Sequence, residues 1–132
     1  KNELLTAILI PKESYENCYG HYIKYAMRNA MDIATIGCSV NVVLSEDKKT
    51  LQRVRIGYGV AGPVPLRAAS AEAFATGKPV SKETVDGFAK AALSDVHPRT
   101  SWRATAEFRL HIIEETARRA LTAAIERAGG AL

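Results

Sequence analysis

The chain has 132 residues, 47% of them hydrophobic and 24% charged, with a formal net charge of +4 at pH 7. This is the size and composition of one globular domain, 1–132, with a single core; two cysteines, Cys18 and Cys38, exclude a disulfide scaffold, and no apolar run approaches the roughly 20 residues of a membrane-spanning helix. The basic residues are interleaved with acids and no block of five like charges occurs, so the surplus reads as a solvated surface rather than a nucleic-acid footprint.

The chain opens on Lys1-Asn2 without a Met and runs at once into Glu3–Ile10, an apolar stretch read as a strand ended by Pro11. This start reads as a piece of a longer protein. Residues 12–20 are polar and turn-rich and read as a loop, followed by a short strand around Tyr22–Tyr25. Over Ile33–Leu44 the period is two: Ile36, Cys38, Val40, Val42 and Leu44 share one side, and Gly37, Ser39, Asn41 and Val43 the other. Ser45-Glu46-Asp47-Lys48-Lys49 turns the chain, and Val54, Ile56 and Tyr58 resume the alternation as far as Gly59, which predicts an antiparallel hairpin.

Two prolines and two glycines in Gly59–Pro65 end the sheet. The second half reads as helix. Leu66–Thr76 is alanine-rich and stops at Gly77-Lys78-Pro79. Ser81 is the N-cap expected of a second helix, with Val85, Phe88, Ala89 and Ala92 on one side and His97-Pro98 closing it. A third helix is expected from near Trp102 to Arg127, with Ala106, Leu110, Ile113, Ala117, Leu121 and Ala124 as its apolar stripe, and with Glu114–Arg118 and Glu115–Arg119 at the i,i+4 spacing of exposed ion pairs. Strands first and helices second predict an α+β fold: a small antiparallel sheet of three to four strands with three helices on one face.

Few residues carry chemistry of their own. Cys18 and His21 have a three-residue spacing that could begin a metal site, but His97 and His111 fall in unrelated elements, so no metal ligands are assigned. Gly57-Tyr58-Gly59-Val60-Ala61-Gly62 matches G-x-G-x-x-G as a string, yet prolines follow where a dinucleotide motif needs a helix N-terminus. Its glycines are read instead as a strand end approached closely by another surface, or as a plain turn. No G-x-S-x-G elbow presents a nucleophilic serine, and no catalytic residue is assigned. Arg28 and Asp32, four apart, form either an ordinary surface ion pair or part of a site.

Three stretches resemble a known family: Arg28-Asn29-Ala30-Met31-Asp32-Ile33-Ala34, Arg55 through Arg67, and Ser101-Trp102-Arg103-Ala104-Thr105-Ala106-Glu107-Phe108-Arg109. They are similar to the carboxy-terminal domain of the FAD-binding subunit of molybdenum hydroxylases. Bacterial xanthine dehydrogenase FAD-binding subunits carry counterparts of both Met-Asp-Ile-Ala and Ser-Trp-Arg-Ala, and the resemblance extends to the carbon monoxide dehydrogenase flavoprotein family. It implies the same α+β fold, and an amino-terminal part, outside this chain, that holds the FAD diphosphate. By that resemblance Ile56 packs on the flavin ring, Gly57, Tyr58 and Gly59 continue its edge, and Arg28 and Asp32 lie near the cofactor crevice.

The resemblance further implies a cytoplasmic purine-hydroxylating enzyme. Its molybdenum cofactor and iron–sulfur clusters belong to partner subunits, and its electrons leave through FAD to an acceptor such as NAD. A non-catalytic subunit-docking domain, using the sheet face left bare by the helices, is the alternative. A small RNA-binding domain is a third, disfavoured by the lack of exposed aromatic pairs on the expected strands.

Overall fold

The structure, a computed structural model, describes residues 2–132. Four strands form one antiparallel sheet in the order β1-β2-β3-β4: β1 (Tyr19–Tyr25), β2 (Ile36–Leu44), β3 (Leu51–Gly59) and the two-residue β4 (Leu66–Arg67). Helices α1 (Ala69–Ala75), α2 (Lys82–Ala91) and α3 (Ala106–Arg127) follow, with short 3₁₀ turns at Lys12–Ser14 and Ala92–Asp95. The α+β architecture is the expected one.

The hairpin follows from its pattern. Val40 faces Ile56 and Val42 faces Val54 across the β2–β3 ladder, and these residues are buried with Ile36, Cys38 and Tyr58. Partnered residues share a face, so one side of the sheet is apolar and packs on the helices. Helix α3 lies across β1 and β2, α1 lies on β3, and α2 bridges α1 and α3. The α3 stripe runs through Ile113, Ala117, Leu121 and Ala124, with Arg109 and Thr116 buried in the same row. Glu114–Arg118 and Glu115–Arg119 pair as their spacing predicts, and Asp86 of α2 joins Arg118 at 2.7 Å.

Helix ends obey local chemistry. Ser81 caps α2 by accepting the Thr84 N–H at 3.2 Å, and Gly77 leaves α1 at φ +83°, a left-handed turn that glycine adopts without strain. The start of α3 is later than expected: Thr105 caps it through the Phe108 N–H at 3.1 Å. Leu66 and Arg67 are not the first turn of α1, since they pair with Tyr58 and Gly57 as β4. An open sheet edge offers backbone partners that a short alanine-rich segment after Pro65 cannot supply to itself.

Glu3–Ile10 forms no strand. Its backbone joins no ladder, and Leu4, Leu5, Ile8, Leu9 and Ile10 are exposed. Strand composition alone does not bring a segment into a ladder: the outer edge of β1 has no strand partner, and this segment does not pair with it.

Candidate functional site: the open sheet face and the Asp32 loop

The face of the sheet turned away from the helices carries Tyr22 and Lys24 from β1, Gly37, Ser39 and Asn41 from β2, Arg53, Arg55, Gly57 and Gly59 from β3, and Arg67 from β4. Gly37 lies opposite Gly59, and Ser39 opposite Gly57. These four residues pave a flat floor. A depression of about 670 Å³ sits over it, rimmed by Tyr22, Ala34, Val60, Pro65, Leu66 and Arg67.

Glycine inside a strand costs roughly 0.5–1 kcal/mol relative to alanine, so each should have a reason. At Gly37 the Tyr22 phenol occupies the space, its oxygen 3.0 Å from where a Cβ would stand. At Gly59 a Cβ would meet nothing within 4 Å, at Gly57 only the Leu66 carbonyl at an ordinary 3.8 Å, and neither has a positive φ. Nothing within this chain requires those two glycines. Their missing side chains leave room for something that approaches from outside the sheet.

Two residues in the loops before β2 and after β3 are left-handed. Val60, which follows Gly59, has φ +68°, and Met31 has φ +49°. A β-branched residue in this region is a true outlier, and such strain gathers where surrounding structure holds a functional geometry.

The loop between β1 and β2 is organised by Asp32. One carboxylate oxygen accepts the N–H groups of Met27 at 2.8 Å and Arg28 at 3.2 Å; the other accepts the Ile33 N–H at 2.8 Å and the Arg103 guanidinium at 3.1 Å. The side chain is 7% exposed. Burial pushes its pKa up, but the Met27 N–H, Arg103 and the two other amides outweigh it and hold the carboxyl below the usual range. The expected Arg28–Asp32 side-chain pair is not made. Arg28 gives its backbone N–H to Asp32 and its guanidinium to the Met31 carbonyl at 2.6 Å, because the loop curls around the carboxylate and the cation arrives from Arg103 instead.

Arg109 completes the clamp. Its guanidinium donates to the Thr35 carbonyl at the start of β2 and to Ser101 Oγ at 3.0 Å. It is 2% exposed, and burial, with Arg99 and Arg103 nearby, lowers its pKa. The two loops joined in this way expose Met27, Met31 and Ile33 on one side and Trp102 on the other. Exposed apolar groups of this size in adjoining loops mark a surface made to be covered.

The residues expected on the flavin wall are divided by the pleat. Gly57 and Gly59 lie on the open face, whereas Ile56 is 1% exposed with its side chain among the helices. Tyr58 also points inward and donates its hydroxyl to the Ile113 carbonyl at 3.0 Å; burial raises its pKa and pushes its neighbour Cys38 up to about 12. The side chain of Ile56 therefore belongs to the helix-facing core, since a period of two turns it away from the face that its glycine neighbours pave.

Sequence reasoning missed Arg103, Arg109 and Glu72. The two arginines sit in the Ser-Trp-Arg stretch, but nothing local says what they hold. Glu72 of α1 is buried, accepting the Ile56 N–H at 3.1 Å, Arg55 Nη1 at 3.1 Å and Arg67 Nε at 2.8 Å. It closes the β3 edge where β4 stops. Among the described residues, no group of three or more His, Cys, Asp or Glu gathers, and His97 and His111 are exposed on separate elements.

Residues 21–124 match the model of the CO dehydrogenase flavoprotein C-terminal domain family. A xanthine dehydrogenase FAD-binding subunit of Escherichia coli O157:H7 is 40% identical over 131 residues, covering 99% of this chain and 44% of that protein. The carbon monoxide dehydrogenase medium chain of Hydrogenophaga pseudoflava is 28% identical over 127 residues, covering 96% and 43%. The chain thus spans under half the length of these relatives. Among solved structures, a carbon monoxide dehydrogenase from Hydrogenophaga pseudoflava that lacks the Mo-pyranopterin moiety superposes with a TM-score of 0.78 at 33% identity, over 85% of this chain and 38% of that one. Quinoline 2-oxidoreductase from Pseudomonas putida 86 shares the fold, with a TM-score of 0.77 at 21% identity over 84% and 38%. On the extent of that match, the chain belongs to the CO dehydrogenase flavoprotein C-terminal domain family.

Proposed function

We propose that this chain is the carboxy-terminal domain of the FAD-binding subunit of a xanthine dehydrogenase-type molybdenum hydroxylase, and that it covers the flavin with its open sheet face and Asp32 loop. The observation that carries this reading is the pair of glycines, Gly57 and Gly59, whose vacant Cβ positions no contact within the chain explains. A flat aromatic ring system fits a flat floor walled by Tyr22, Val60 and Leu66. Flavin, when bound, supplies the electron-carrying chemistry; the protein contributes position, exclusion of water and electrostatics. Here Asp32, Arg103 and Arg109 fix the loop that presents Met31 and Ile33, and those apolar side chains shield the site from solvent.

In the complete enzyme, electrons would arrive from iron–sulfur clusters and a molybdenum centre on partner subunits and pass to an acceptor such as NAD. The diphosphate would be held by an adjoining amino-terminal domain. Free Cys18 and Cys38 suit a reducing, cytoplasmic setting. The test is the visible spectrum of this chain joined to the amino-terminal part of such a subunit. The joined protein should purify yellow, and Gly59→Val should reduce its flavin content severalfold while leaving the circular dichroism unchanged. A colourless joined protein, or a Gly59→Val variant with full flavin content, overturns the reading.

A second reading, a subunit-docking domain, is favoured by the exposed Leu4, Leu5, Ile8, Leu9 and Ile10. Binding of a partner subunit by the flavin-free protein, unchanged by Gly59→Val, would support it.

A further inference from the structure

The chain changes character at Pro11. From there on it is fastened to the sheet: the Ser14 N–H donates to the Pro11 carbonyl at 2.9 Å, closing the 3₁₀ turn, and Arg53 on the open face donates through Nη2 to the Glu13 carbonyl at 2.6 Å. Among the described residues, no backbone hydrogen bond joins residues 3–10 to the rest of the chain, and Leu4, Leu5, Ile8, Leu9 and Ile10 are between 64% and 89% exposed. The seven residues from Leu4 to Ile10 carry no charge, no glycine and no proline. Left bare, such a stretch is an aggregation hazard, so a working protein covers it.

Its pattern states what kind of cover it needs. When extended, Leu4, Thr6, Ile8 and Ile10 fall on one side, and Leu5, Ala7 and Leu9 on the other. Both rows are apolar, unlike β2, whose second row holds Gly37, Ser39 and Asn41. A strand apolar on both sides belongs inside a sheet that is covered on both faces. This domain has no such place. The outer edge of β1 has no strand partner, but a strand laid there would turn one of its rows to solvent beside Tyr22 and Lys24, on the face that no helix covers. A second copy of the chain offers the same one-sided edge and fits no better.

We propose that Glu3–Ile10 is an interior strand of the adjoining amino-terminal domain and that Pro11 is the boundary between the two units. The Lys12–Ser14 turn is then the joint, pinned by Arg53 so that the adjoining domain starts beside the open sheet face. This rests on the proposed flavin subunit for the presence of that domain, which the greater length of the relatives leaves room for.

The experiment is hydrogen exchange read by mass spectrometry on three samples: the 132-residue chain, the chain joined to the amino-terminal part of such a subunit, and the joined protein stripped of flavin. In the 132-residue chain the amides of Thr6–Ile10 should exchange as fast as those of an unstructured peptide, at every protein concentration. In both joined samples they should be slowed by about a hundredfold or more, as in a central strand. Leu5→Asp and Ile8→Asp, one from each row, should each abolish that protection in the joined protein and leave the unfolding midpoint of the 132-residue chain unchanged. Where the aspartates prevent the joined protein from folding, Leu5→Ala and Ile8→Ala should each cut the protection by about tenfold.

Unprotected amides in a joined protein whose amino-terminal part is folded overturn the proposal. Protection in the 132-residue chain that grows with concentration overturns it in favour of a second copy, and protection that appears only on adding an iron–sulfur or molybdenum subunit overturns it in favour of a partner subunit. Sensitivity confined to one of the two rows places the segment on a one-sided edge and overturns it as well. A joined protein that purifies colourless with protected amides keeps the strand and loses the flavin reading, whereas a yellow one with unprotected amides does the opposite.

Discussion

Asp32 and Arg103, 71 positions apart in the chain, meet at 3.1 Å and close the β1–β2 loop onto the loop that leads into α3. The carboxylate also gathers three backbone N–H groups, so one side chain sets the shape of the loop and its attachment to the helical layer. Asp32→Asn keeps the volume but loses the charge and part of the accepting capacity. Amide exchange at Met27 and Ile33 should speed up by about tenfold while the core amides of β2 and β3 are unchanged. Exchange followed residue by residue checks this; unaltered protection at Met27 would refute the clamp.

Glu72 gives stability a defined pH dependence. Burial raises its pKa, but Arg67, the Ile56 N–H and Arg55 together lower it below the ordinary 4.5. A depressed folded pKa means that the unfolded chain takes up the proton first. The contribution of Glu72 is therefore complete above pH 4.5 and is lost as pH falls through the lower folded value. Glu72→Gln should lower stability at neutral pH by about 1–2 kcal/mol, a figure discounted because both arginines are more than half exposed. Urea unfolding at pH 7 and below pH 4 should show the gap between the two proteins narrowing in acid.

Arg109 bridges Thr35 and Ser101 from within the helix–sheet interface. Arg109→Met fills similar space but leaves the Thr35 carbonyl and Ser101 hydroxyl without their donor, so it should destabilise by about 2–3 kcal/mol. Arg109→Lys should rescue little, since a single ammonium lacks the fork that reaches both acceptors. Denaturant midpoints of the two variants measure this directly.

Val60 holds a left-handed backbone that disfavours a β-branched side chain. Val60→Gly relieves strain of about 1–2 kcal/mol, partly offset by a more flexible unfolded chain, for a net gain of about 0.5–1 kcal/mol. Thermal unfolding should show a higher midpoint. If Val60 walls the flavin as proposed, the same change should weaken flavin retention in the joined protein, separating the site from the fold.

The residues show in detail how far sequence reading reaches. Alternation along β2 and β3 made the hairpin and its buried face plain, because a strand with one apolar side has only one way to turn. Ser81, Gly77 and the i,i+4 acid–base pairs of α3 were equally plain, since caps and helix pairs act within a few residues. Glu3–Ile10 has strand composition and no strand, because composition alone does not bring a segment into a ladder. The alternation of Ile56 with Val54 and Tyr58 turns its side chain inward, a facing that the family resemblance alone does not fix.

The sequence by itself determined the class of fold, the hairpin and the family, because periodicity and motif act over short spans of chain. Only the tertiary structure decided that Asp32 answers to Arg103, that Glu72 seals the edge of β3, and that Gly57 and Gly59 lie vacant on the open face. Those relations join residues up to 71 positions apart, and burial and charge settle them only once the layers have packed.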